Sequence, residues 1–155
     1  TVIDGRADQR SLIQTADNIE VIDMESVEQA TTVVSSGSAA LVMTHSHELD
    51  YTLCHALLTH NSTGFVGLIG SRSKATRFRS RLRKDNVPEK SLAHLTSPIG
   101  SSGPKGKEPG VIALAALSEV LALNLKSAQP SLTPPVQITN ISHTANHKQH
   151  GSRQT

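Results

Sequence analysis

Apolar positions along the chain follow two rhythms, and the change from one to the other marks the elements. The runs 39–43 (Ala-Ala-Leu-Val-Met) and 65–69 (Phe-Val-Gly-Leu-Ile) have no polar break, as expected of strands covered on both faces. Between them Leu49, Leu53, Ala56 and Leu57 recur at helical spacing and predict a helix over 48–58. Upstream, Val2 and Ile3 run into Asp4-Gly5-Arg6 as a strand ending in an acidic turn, and 19–22 is a second short extended piece. Ser26 has cap chemistry for a helix over 26–34, with Val27, Ala30 and Val34 on one side. A basic helix is predicted over 74–84, then a shorter one from near Pro88 to near Leu95. The Gly- and Pro-rich stretch 96–110 is a loop, and 111–125 is an Ala/Leu-rich helix with a wide apolar face. Strands alternating with helices imply βα units: an α/β fold, a three-layer parallel sheet with helices on both faces. That domain occupies 1–125. From Lys126 onward the sequence is rich in Ser, Thr, Asn, Gln and Pro, which predicts a disordered polar tail over 126–155.

Composition narrows the function classes. A chain of 155 residues suffices for one domain that buries roughly 70% of its unfolded surface. Its net charge is +2, from 15 basic and 13 acidic side chains, too balanced for a concentrated nucleic-acid-binding face. Tyr51, Phe65 and Phe78 are the only aromatic rings apart from histidine, too few for base stacking. No run approaches the ~18 apolar residues of a membrane span, so a soluble protein is expected. The lone Cys54 cannot form an internal disulfide, and no signal segment opens the chain; both point to the cytoplasm. Within its predicted helix Cys54 reads as a small core residue.

Candidate chemistry gathers where strands open into loops, because ligands of open α/β sheets bind at the carboxyl ends of the strands. His45, His47 and Asp50 follow the first full strand. In extended backbone, residues two apart project to the same side, so the two imidazoles could hold a ligand or a metal jointly, or simply fix the loop and cap the next helix. The H-x-H-x-x-D spacing differs from the T-H-x-H-x-D-H run of two-metal hydrolases, with Tyr51 where a further ligand would stand. The next strand carries Gly67 and is closed by Gly70 and Ser71 before a helix, a place where free amides attract anions, with Arg72 and Lys74 adding positive charge. The further basic run, Arg77, Arg79, Arg81, Arg83 and Lys84, reads as a solvated face over a buried stripe of Ala75, Phe78 and Leu82. Lys107 and Glu108 precede the last helix and could reach an anion or merely cap it. Asp4 stands where a dinucleotide-binding acid would hold a ribose hydroxyl, but no Gly-rich turn precedes it. His143, His147 and His150 lie in the tail and read as chance clustering.

The strings V-M-T-H-S-H-E-L-D (42–50), G-L-I-G-S-R-S-K (67–74), P-I-G (98–100) and G-K-E-P-G-V-I-A (106–113) resemble, in order and spacing, the C-terminal Rossmann-like domain of the xanthine dehydrogenase accessory family, XdhC type. The resemblance covers roughly 1–125. It implies a maturation chaperone without catalytic residues of its own. Such a chaperone binds molybdenum cofactor (molybdopterin) transiently and hands it to xanthine dehydrogenase, with a cysteine desulfurase that sulfurates the cofactor as a further partner. Its cofactor-binding residues here would be His45, His47, Asp50, Gly70, Ser71, Arg72, Lys74, Lys107 and Glu108. The rival readings are an NAD(P)-type dinucleotide-binding oxidoreductase and, behind it, a metal-dependent hydrolase using His45 and His47. Family members carry an N-terminal domain, then a first strand with a Gly-rich turn, before a second strand ending in D-x-R. Asp4-Gly5-Arg6 match that second ending, so the first strand and its turn are expected to be missing. The expected result is a central gap flanked by two unpaired strand edges, with marginal stability or rearranged pairing, and edges that favour a homo-oligomer.

Overall fold

Five parallel strands fall into two separate ladders in the computed structural model, which describes residues 1–35, 37–60 and 63–127. Strand β1 (Val2–Asp4) pairs with β2 (Val21–Asp23), Ile3 opposite Ile22. Helix α1 (Ala7–Arg10) lies between them. Its four residues, Ala-Asp-Gln-Arg, are too few to show a period, so the sequence pattern gave no sign of it. Arg10 at its end ties the strands together, donating to the Asp4 carbonyl at 2.7 Å and to both Asp23 carboxylate oxygens at 2.8 and 2.9 Å. Strand β2 starts two residues later than expected, because Ile19 is drawn into an antiparallel bridge with Ala16.

The second ladder runs in the order β3 (Ala39–Val42), β4 (Phe65–Leu68), β5 (Leu95–Thr96). Central β4 fits the expectation of cover on both faces, with Val66, Gly67 and Leu68 buried. β3 does not: Ala39 and Leu41 are exposed, since one of its edges has no neighbouring strand. Gly67 is required for close packing, as a Cβ there would stand 2.4 Å from Ile99 Cδ1 and 2.7 Å from Leu41 Cδ2.

Three helices begin at serines whose hydroxyls accept a backbone N–H of the first turn, satisfying one of the orphan donors of a helix start. Ser26 caps α2 (Val27–Thr32) through Gln29, Ser46 caps α3 (His47–Thr59) through Leu49, and Ser71 caps α4 (Arg72–Lys84) through Lys74. Helix α5 (Glu89–Leu92) and the long α6 (Pro109–Ser127) complete the chain. α6 runs two residues beyond the predicted Leu125; residues 128–155, and with them the expected tail and its three histidines, lie outside the described residues. α3 and α4 bury Leu53, Cys54, Leu57 and Leu58 and Phe78 and Leu82 against Val42, Val66 and Leu68. Cys54 is fully buried, which pushes its thiol up to about 12 and makes it the inert core residue expected. Among the described residues no helix is long and apolar enough to cross a membrane.

The α/β architecture with parallel strands is the expected Rossmann-like one, and the sheet is divided between β1 and β3. In the order 3-2-1-4-5, strand 1 lies between 2 and 4; here β1 and β3 flank a cleft of about 800 Å³ instead of pairing with each other. Among the described residues no rearranged pairing joins β1 to β3. Val2 and Leu41 on the two edges are 40% and 39% exposed, so water reaches the cleft and its cost is exposed apolar surface rather than dry, unpaired amides.

Candidate functional site

Because β3 and β4 are adjacent and parallel, with Val42 opposite Leu68, their following loops emerge side by side. The first loop is Met43-Thr44-His45-Ser46; the second is Ile69-Gly70-Ser71. A buried ion pair joins them. Asp50, 1% exposed, accepts a hydrogen bond on Oδ2 from Lys74 Nζ, and Lys74 is only 7% exposed. Asp50 Oδ1 accepts the Thr44 N–H at 2.8 Å, and Lys74 Nζ also donates to the Ile69 carbonyl at 3.1 Å. The ammonium lies 5.3 Å from the Phe78 ring centroid, which adds cation–π attraction. Each charge thus meets its partner and a backbone group of one loop, as a buried pair requires.

This geometry changes the roles of two expected ligand residues. Asp50 and Lys74, expected among the cofactor-binding residues, have their polar atoms buried and bonded to one another. They brace the site. Gly70 belongs to the same brace: its φ is +150°, and a Cβ would come within 2.6 Å of Lys74 Cδ, so only glycine lets the lysine stem pass inward.

The surface above the brace remains open. His45 and His47 are both exposed, yet they do not act as a pair projecting to one side. Ser46 is the cap of α3 and His47 its first helical residue, so the alternation of extended chain ends between them. His45 lines the cleft and lies near enough to Asp4 to help hold that carboxylate ionised, whereas His47 does not line it. On the other loop Ser71 and Arg72 are exposed at the N-terminus of the 13-residue α4. Of the first amides of that helix, only those of Lys74 and Ala75 are engaged among the described residues, by the Ser71 hydroxyl and the Ser71 carbonyl. The amides of Arg72 and Ser73 remain for an anion.

Lys107 and Glu108 precede α6. Glu108 accepts the Lys107 N–H on Oε2 at 3.0 Å, its carbonyl accepts the Ile112 N–H at 3.1 Å, and it opens α6 as a cap. The basic face of α4 is largely paired. Arg81 stacks 3.7 Å from the Tyr51 ring centroid and bonds Glu48 at 3.1 and 3.0 Å, Arg83 bonds Glu89 at 2.6 Å, and Arg79 donates to the carbonyls of Leu92 and Leu95. Tyr51, near the position where a hydrolase would need a ligand, is buried and donates to Asp85 at 2.5 Å; burial and that bond push its phenol up to about 12. Among the described residues no three His, Cys, Asp or Glu side chains gather as a metal-binding group.

Asp4 and Arg6 close the other side of the cleft mouth. Arg6 donates from Nε to Asp4 Oδ1 at 3.0 Å, from a terminal nitrogen to Oδ2 at 2.7 Å, and from its backbone N–H to Oδ1 at 2.9 Å. The Arg6 side chain is the main reason the Asp4 carboxyl is held down at about 2. A carboxyl depressed in the folded state contributes stability that is complete above its unfolded value of ~3.9 and is lost as pH falls through the folded one. An NMR titration of the Asp4 carboxyl carbon is expected to show a midpoint near 2, rising toward the ordinary range in Arg6→Ala. An ordinary midpoint in the unaltered chain would contradict the pairing. The D-x-R spacing was the signal for this residue pair; what could not be read from it is that Arg6 turns back onto Asp4. Compared with models of protein families, residues 1–120 match the XdhC Rossmann domain. No curated protein matches the chain.

Proposed function

The chain belongs to the XdhC Rossmann-domain family of xanthine dehydrogenase accessory proteins, and from that membership we propose that it binds molybdenum cofactor as cargo and delivers it to xanthine dehydrogenase during maturation. One observation carries the reading at the level of residues: the His45 loop and the N-terminus of α4 are held side by side by the Asp50–Lys74 pair. The cargo is a pterin bearing a phosphate. Its phosphate suits the free amides of Arg72 and Ser73 and the Arg72 guanidinium, since a helix N-terminus and a guanidinium both favour dianionic oxygens. His45 faces the pterin side of the same mouth. His47 contributes at its rim. No covalent step is required of the chain; its residues bind, orient and release.

The reading is tested by loading the chain with sulfurated molybdenum cofactor, removing excess, and adding apo-xanthine dehydrogenase. Recovered xanthine oxidation well above that from the same amount of free cofactor is the expected result. Recovery no faster than with free cofactor overturns delivery. The dinucleotide-binding alternative rests on Asp4 at the end of β1. With both Asp4 oxygens bonded to Arg6, a ribose would have to displace that arginine, which favours the pterin reading.

A further inference from the structure

At the end of the sheet away from the two loops, a cavity of about 200 Å³ opens between the carboxyl end of α3 and the chain entering β4 and β5. His60 follows α3, Thr63 precedes β4 and His94 precedes β5, so the parallel pairing of β4 with β5 helps bring the three to one place. Leu57 and Leu58 give the cavity apolar lining, and Lys90 and Ser91 of α5 complete it. Every polar side chain of the lining can donate a hydrogen bond, and none is acidic.

Thr63 is 9% exposed, and its hydroxyl is buried with no hydrogen-bond partner among the described residues. A buried hydroxyl is ordinarily satisfied by protein, water or ligand, and leaving it bare is unfavourable. His94 is fixed at three points. Its backbone N–H donates to the Ser91 carbonyl at 3.0 Å, its carbonyl accepts the Val66 N–H at 2.8 Å, and its ring Nδ1 lies 2.9 Å from the Gly64 carbonyl. A carbonyl only accepts, so Nδ1 carries a proton and Nε2 is the nitrogen left for a ligand. Lys90 is exposed and joins no ion pair among the described residues. Its charge disfavours a metal cation beside the two imidazoles and favours an anion.

We propose that this cavity binds a phosphoryl group, as inorganic phosphate or as the phosphate end of a small phosphomonoester. The hydroxyls of Thr63 and Ser91, the ammonium of Lys90 and the imidazoles of His60 and His94 suit an anion with several acceptor oxygens better than a carboxylate, which has two. At ~30 Å³ per water the cavity has room for roughly six or seven waters, more than a phosphoryl group alone fills. The space left admits the carbon part of an ester, for which Leu57 and Leu58 provide an apolar contact.

The test follows the ring signals of His60 and His94 in the 155-residue chain by NMR, during titration with inorganic phosphate and, separately, with glycerol phosphate, at an ionic strength held constant with chloride. Both rings are expected to shift together and saturably, while chloride alone moves neither. Tighter binding of glycerol phosphate assigns the site to an ester, and equal or weaker binding assigns it to the free ion. Thr63→Val, which keeps the shape of the side chain and removes its hydroxyl, and Lys90→Ala, at an exposed position, are each expected to weaken phosphate binding by about tenfold or more. Thr63→Ser is expected to retain it, and the urea midpoint of Lys90→Ala to stay nearly unchanged, so that its loss of binding is not a loss of fold. The proposal is overturned by shifts that never saturate, by chloride acting equally, by a response of one ring alone, or by undiminished affinity in Lys90→Ala and Thr63→Val.

Discussion

Replacing Lys74 by methionine is expected to lower the unfolding free energy by about 3–5 kcal/mol, the usual loss when one partner of a buried pair is removed. The substitution keeps an apolar stem in place but leaves Asp50, 1% exposed, with only the Thr44 N–H for its charge. It also removes the bond to the Ile69 carbonyl, so both loops lose an anchor. Asp50→Asn added to Lys74→Met removes the stranded charge while retaining an oxygen for Thr44. The double variant is expected to be more stable than Lys74→Met alone, as replacing a whole buried pair often costs little. Urea unfolding measures both. A single variant within about 1 kcal/mol of the unaltered chain, the range of a solvent-exposed pair, would contradict the bracing role.

Loss of cargo binding is the other large effect. Arg72→Ala removes the one guanidinium exposed at the start of α4, and His45→Ala removes the imidazole that lines the cleft mouth. Hydrogen bonds to a charged group contribute about 1.5–3 kcal/mol each, so each substitution is expected to weaken molybdopterin binding by roughly tenfold to a hundredfold or more. Both side chains are exposed, so urea midpoints should stay nearly unchanged. His47→Ala is expected to do less, because His47 sits on the first turn of α3 and away from the cleft. Equal losses for His45→Ala and His47→Ala would restore the original picture of a joint imidazole pair. Isothermal titration of molybdopterin into each variant separates these outcomes.

What could be read from the residues alone follows from how local each signal is. β4, α3 and α4 are written in uninterrupted apolar runs, serine caps and helical stripes, so their positions came out within two or three residues. β5 could not be seen: its two residues are a strand only because the Val66 N–H reaches the His94 carbonyl and the Ile99 N–H the Leu68 carbonyl, contacts roughly 30 residues apart. The division of the sheet between β1 and β3 is a matter of pairing that no local run of residues records. The site was legible as two loops but not as roles. Asp50 and Lys74 look like any exposed charges until Asp50 is placed on the α3 stripe with Cys54 and Leu57, and Lys74 beside Ala75 and one turn before Phe78. Those spacings put both on buried faces, and a buried opposite-charge pair was then the only inexpensive arrangement.

The central claim is that the His45 loop and the N-terminus of α4 form one binding surface. Hydrogen exchange of the 155-residue chain, with and without saturating molybdopterin, tests it most directly. The account predicts that the amide of His45 and those of Arg72 and Ser73 become protected together at the same ligand concentration. Protection of one segment without the other, or protection centred instead on Lys107 and Glu108, would contradict it.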